Sequence, residues 1–147
     1  MNLITNPIAT MNLMHIAPTR ISPEVVINAK DKIFLMKGRS SPENAVMFYD
    51  QIKSGIKNYF QKEQKLSVHF MFEYFNTSSS KSIFEVIKLL KKFQGIGKEI
   101  TFFWVYEEGD DDMLETGEDY ADLLDVEMTL LEIDELEDYS LYRRLAS

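Results

Sequence analysis

Cysteine is absent from the 147 residues, histidine occurs only as His15 and His69, and proline only four times. Without cysteine there are no disulfides, thiolate metal sites or thiol nucleophiles, and two imidazoles cannot build a multi-histidine metal centre. No apolar run approaches the ~20 residues of a membrane-spanning helix, and Met1 to Met14 has neither a basic leader nor a long apolar core. These absences lead us to expect a soluble, cytoplasmic protein with no membrane insertion. Glycine is scarce too: Gly95-Ile96-Gly97 follows a helical pattern rather than a strand, and no phosphate loop, dinucleotide fingerprint or nucleophile elbow is present. No cofactor is expected. Basic residues are missing from one whole segment. Lys and Arg number 14 against 8 Asp and Glu through Tyr106, but 0 against 16 from Glu107 to Asp138. A segment without Lys or Arg cannot grip nucleic-acid phosphates, so it reads as a solvated face that could also steer partners.

What is present is a core. Hydrophobic residues make up 45% and aromatic residues 12% of the chain, enough for one domain and too little for two. Residues 1–14, with Pro7 and no periodicity, are expected to be a flexible leader, and 134–147 a polar C-terminal tail. In that tail Arg143-Arg144-Leu145-Ala146-Ser147 matches a basophilic kinase site only by a short, chance-prone pattern. Between them, Val25–Asn28 and Lys32–Lys37 read as a strand hairpin. Gly38-Arg39-Ser40-Ser41-Pro42-Glu43-Asn44 reads as a helix start with Ser41 as N-cap and Pro42 at the first helical position. That helix runs to about Phe60, with Gly55 as a close packing point. Leu66, Val68, Phe70, Phe72 and Tyr74 alternate with Ser67, His69, Met71 and Glu73, the period of a strand. A second helix covers Ser80 to about Gln94 and stops at the glycines. Ile100–Tyr106, apolar on both faces, reads as a central strand, residues 113–124 as a third helix, and Val126–Ile133 as the last strand. The fold class is α/β: one domain with a mixed sheet of about five strands and about three helices.

The polar run Phe75-Asn76-Thr77-Ser78-Ser79-Ser80-Lys81 lies between a strand and a helix. A helix start leaves backbone N–H groups without intrahelical partners, and Asn76, Thr77, Ser78 and Ser79 are all competent caps. The run is therefore either a well-capped helix start or a place where a phosphate meets the positive end of the helix dipole. Elsewhere, His69 in its apolar strand fits a sheet-face histidine better than a general base, although a small enzyme using His69 and the acidic loop is the alternative. Asp110-Asp111-Asp112 lacks the alternating carboxylates and turn glycine of a calcium loop, so no metal is expected there. The aromatic strand around Trp104 reads as core.

Gly38-Arg39-Ser40-Ser41-Pro42-Glu43-Asn44 and Phe75-Asn76-Thr77-Ser78-Ser79, in this order, resemble motifs of the SiaC family, bacterial regulatory phosphoproteins with a STAS-like fold. Thr19-Arg20-Ile21-Ser22-Pro23, Phe48-Tyr49 and Trp104-Val105-Tyr106 extend the similarity, which covers roughly residues 15–133. The resemblance implies a partner-switching cycle. A cognate protein kinase phosphorylates the threonine that corresponds to Thr77, a PP2C-type phosphatase removes the phosphate, and the unmodified form binds and activates a diguanylate cyclase that makes c-di-GMP, or another target enzyme. It implies further that Asn76, Ser78, Ser79, Ser80 and the turn Ser41-Pro42-Glu43-Asn44 supply partner-binding surface, and that the protein is not itself an enzyme.

Overall fold

A computed structural model describes residues 12–136. In chain order the elements are β1 (Asn12–Ile16), β2 (Glu24–Asn28), β3 (Ile33–Ser40), α1 (Ala45–Tyr59), β4 (Lys65–Phe75), α2 (Thr77–Gly95), β5 (Glu99–Glu107), α3 (Asp111–Leu124) and β6 (Met128–Ile133). The six strands lie side by side in sequence order; β1, β2 and β3 pair antiparallel, and β3 to β6 pair parallel. Each parallel step needs a crossover, and α1, α2 and α3 supply them.

The expected α/β class is present, with six strands instead of about five. The additional strand is β1, which spans the boundary drawn between residues 14 and 15: His15, Ile16 and Met14 pair with Val26, Val25 and Ile27 of β2. Residues 12–14, expected in the leader, thus belong to the sheet, because pairing with the β2 edge satisfies their backbone groups. Residues 1–11 and 137–147, including the Arg143–Ser147 kinase-like pattern, lie outside the described residues. Among the described residues no helix is long and apolar enough to cross a membrane.

Strand alternation divides the interior in two. Val25, Ile27, Phe34, Met36, Val68, Phe70, Phe72, Phe102 and Trp104 point to the helices and join Ile52, Ile56, Ile83, Val86, Ile87 and Leu90 in the main core. Val26, Ile33, Leu35, Met71 and Val105 form a second cluster on the opposite face, together with Leu136. Two glycines permit close approach. A Cβ on Gly55 would stand 2.8 Å from the Met14 side chain, which accounts for the packing point expected there, and one on Gly117 would stand 2.4 Å from the Trp104 ring.

All three parallel strands preceding a helix end at the same edge of the sheet, so the three helix N-termini gather there. Each is closed in the same way. Asn44, Asn76 and Asp110 accept hydrogen bonds from the backbone N–H of Met47 (3.0 Å), Ser79 (2.9 Å) and Met113 (3.1 Å), respectively.

Candidate functional site

The polar turn after β4 sits at this edge, held from several sides. The Asn76 N–H donates to the Ser40 carbonyl at the end of β3 (3.1 Å), and the Ser80 N–H closes the first helical bond on the Asn76 carbonyl (2.9 Å). Asn76 is the cap, and α2 starts at Thr77 rather than Ser80. The helix begins earlier than expected because the strand-to-strand bond to Ser40 fixes Asn76 in extended geometry immediately before it.

The four consecutive hydroxyls then have different fates. Thr77 and Ser78 are exposed, Ser79 is fully buried and Ser80 half-buried. The Ser40 hydroxyl donates to Ser79 Oγ (2.8 Å) and, its one proton being used, accepts from the Tyr49 hydroxyl (2.7 Å). On the other side the Tyr120 hydroxyl donates to the Ser80 carbonyl (2.8 Å), and so accepts from Ser80 Oγ (2.9 Å). The Thr77 side chain makes no hydrogen bond among the described residues. Burial raises the Tyr49 and Tyr120 phenols above their ordinary pKa, so both act as neutral hydrogen-bonding groups.

Ser78 and Lys81 form one wall of an open groove between α2 and α1, and Glu43, Asn44, Val46 and Asp50 form the other, with Tyr49 at its floor. Lys81 stands four residues after Thr77, on the same side of the helix. Val46 and Met47, in the first turn of α1, are 68% and 69% exposed. The structure therefore brings Ser78 together with Glu43 and Asn44 around one groove, while Thr77 stands at the same helix start. Ser41 differs from expectation. It does not cap α1; its N–H donates to the Ile21 carbonyl (2.7 Å), and Asn44 caps instead. β3 also runs on to Ser40 beyond the expected end at Lys37, through a register shift at Gly38, whose φ is +115°. Ser41 and Pro42 are consequently half-buried connecting residues, and Glu43 and Asn44 are the exposed ones.

The residues of the enzyme alternative are not brought together. His69 is 2% exposed on the face away from the helices, bonded to Ser67 Oγ (2.9 Å) and stacked on Phe103 (4.9 Å between ring centroids). Burial pulls its pKa down to about 4. Its partner in register, Phe103, precedes Glu107 by four residues, roughly 13 Å along the strand. Asp110, for its part, is occupied as the cap of α3, with Asp111 and Asp112 in the first turn where the dipole favours them. Among the described residues no group of three or more His, Cys, Asp or Glu is arranged to hold a metal ion.

Sequence reasoning missed Ser40, Tyr49 and Tyr120. Tyr120 reads only as a residue of the third helix and Tyr49 enters only through the Phe48-Tyr49 resemblance; both rings are packed in the core, and only their hydroxyls, aimed at the turn, distinguish them.

Comparison with known proteins places this geometry. The model of the SiaC family regulatory phosphoprotein matches residues 16–133. An uncharacterised protein of Pseudomonas aeruginosa strain UCBPP-PA14 is 24% identical over 113 residues, 76% of this chain and 90% of that protein. Two crystal structures share the fold. One is that of the diguanylate cyclase SiaD in complex with its activator SiaC from P. aeruginosa (TM-score 0.76, 21% identity, 82% of this chain and 99% of the matched chain). The other is apo-SiaC from the same organism (TM-score 0.70, 20% identity, 80% and 97%). With a match spanning the sheet from the end of β1 to the end of β6, the chain belongs to the SiaC family of regulatory phosphoproteins.

Proposed function

We propose that the protein is a non-enzymatic switch of the cytoplasm, phosphorylated at Thr77 by a cognate kinase, dephosphorylated by a PP2C-type phosphatase, and able in its unmodified form to bind and activate a diguanylate cyclase. The observation that carries this reading is the Thr77 hydroxyl: exposed, without a side-chain partner among the described residues, and at the first position of a capped helix. Removing or adding a group there breaks no internal bond. A phosphate at this position faces the positive end of the α2 dipole, an interaction worth roughly 0.3 to 1 kcal/mol, so the modified domain stays folded. Its effect falls on binding. A partner packed over the Thr77 hydroxyl has to desolvate about 1.5 to 2 added negative charges, a cost that the lost hydroxyl contact does not approach. Asn76 and Ser78 to Ser80 shape the turn, and Glu43 and Asn44, carried by Ser41 and Pro42, extend the docking surface across the groove. The cyclase partner rests on the likeness to the SiaC bound to SiaD.

Incubation with the kinase and ATP, followed by mass spectrometry, tests the site. One phosphate on Thr77 is expected. Clean modification of a neighbouring serine with Thr77 untouched would overturn the residue assignment.

A further inference from the structure

We propose that Tyr120, Ser40 and Tyr49 are specificity-determining residues that sort the four hydroxyls of the turn, withholding Ser79 and Ser80 from phosphoryl transfer and leaving Thr77 and Ser78 to receive it. This rests on the reading above that the turn is phosphorylated.

Phosphorylation joins the serine or threonine oxygen to the γ-phosphorus of ATP, breaks the bond from that phosphorus to the β–γ bridging oxygen, releases ADP, and passes the hydroxyl proton to a base of the kinase. The oxygen must therefore be free to turn outward and its proton free to leave. Ser79 fails the first condition: it is 0% exposed and its oxygen accepts the Ser40 proton, Ser40 itself being 0% exposed and backed by Tyr49 at 1%. Ser80 is only half-buried, so burial alone does not protect it. Its proton is committed to the Tyr120 hydroxyl, whose own proton is committed to the Ser80 carbonyl, a two-point clasp on one residue. Tyr120 cannot swing away, because its ring lies against Phe75, Phe84 and Trp104. The anchors come from β3, α1 and α3, three elements distant in sequence, so the sorting depends on the folded domain and is absent from a peptide spanning the turn.

The test uses the full chain with its kinase and ATP, read by site-resolved mass spectrometry, with thermal unfolding to verify the fold. The double variant Thr77→Ala, Ser78→Ala keeps the clasp and should take no phosphate. Adding Tyr120→Phe, which preserves the ring and removes the hydroxyl, should restore one phosphate, on Ser80. Labelling of Ser79 or Ser80 in the double variant, or no labelling of the folded triple variant by a kinase that modifies the wild type, would overturn the sorting. A wild type that takes no phosphate on this turn would instead overturn the switch itself. Independently of any kinase, NMR of the folded domain should detect a slowly exchanging hydroxyl proton on Ser40 or Tyr49, the groups bonded in line behind Ser79, and its absence would overturn the withholding of Ser79.

Discussion

Asn76 and Thr77 are adjacent, yet their replacement by alanine should have opposite signatures. Asn76→Ala removes the Oδ1 that accepts the Ser79 N–H at 2.9 Å and leaves that amide beside a fully buried side chain, where water is a poor substitute. Loss of an N-cap costs about 0.5 to 2 kcal/mol, and the enclosed position of the orphaned amide argues for the upper half of that range. For a domain of this length each kcal/mol lowers the unfolding midpoint by about 2 to 4 °C, so a fall of about 2 to 8 °C is expected. Thr77→Ala removes no hydrogen bond among the described residues and gains a little helix propensity, so its stability should remain within about 0.5 kcal/mol of wild type. Asn76→Asp, which keeps the accepting oxygen and adds charge favoured by the dipole, should restore the midpoint. Thermal and urea unfolding of the three variants decide the matter. A Thr77→Ala variant destabilised as much as Asn76→Ala would mean that the Thr77 hydroxyl holds the turn together, and the assignment of Thr77 as a free acceptor would fail.

Gly117→Ala should destabilise despite alanine's better helix propensity. The new Cβ would stand 2.4 Å from Trp104, whose Nε1–H is bonded to the Met113 carbonyl and whose ring is wedged among Phe70, Phe72 and Tyr120. At 2.4 Å from a ring held on several sides the overpacking belongs to the upper part of the usual range, about 2 to 3 kcal/mol, which against a propensity gain of about 1 leaves a lower urea midpoint, and an unchanged midpoint would contradict the packing. His69 should make stability depend on pH. Its folded pKa of about 4 lies below the ordinary 6.5, so the unfolded chain binds the extra proton, and stability falls as pH drops from about 6.5 to about 4, by about 3 kcal/mol in all. The difference in urea midpoint between wild type and His69→Gln should shrink across that window; a constant difference would refute the burial argument.

The strands and helices that pack against one another were legible because their periodicity is imposed by the core itself: Leu66, Val68, Phe70 and Phe72 and the stripe of Ile83, Ile87 and Leu90 reappear as buried faces, whereas Tyr74, the last residue of the expected alternation, lies past the register shift between β3 and β4 and is 43% exposed. Boundaries set by long-range bonds were not. Ser41-Pro42 has the local chemistry of a helix start, but the Ser41 N–H is drawn to the Ile21 carbonyl, and the cap passes to Asn44. Four cap-competent residues in a row cannot reveal which one caps, since the choice of Asn76 is made by its bond to Ser40, thirty-six positions away. β1 was hidden because apolar Leu13 falls on its exposed side, at 47%, and so masks the alternation that the strand's burial follows, and because Pro18 and Pro23 follow close behind. The same long-range dependence hid Ser40, Tyr49 and Tyr120, whose contribution to the turn lies in single hydroxyl groups.

The central claim is that charge at Thr77 decides binding while leaving the domain folded. Titration calorimetry of the diguanylate cyclase with the unmodified protein, the phosphoprotein, Thr77→Ala and Thr77→Asp tests it most directly. Unmodified protein and Thr77→Ala should bind, and the phosphoprotein and Thr77→Asp should show at least a tenfold loss, equivalent to about 1.4 kcal/mol. Binding by the phosphoprotein as tight as, or tighter than, that of the unmodified protein would contradict the account.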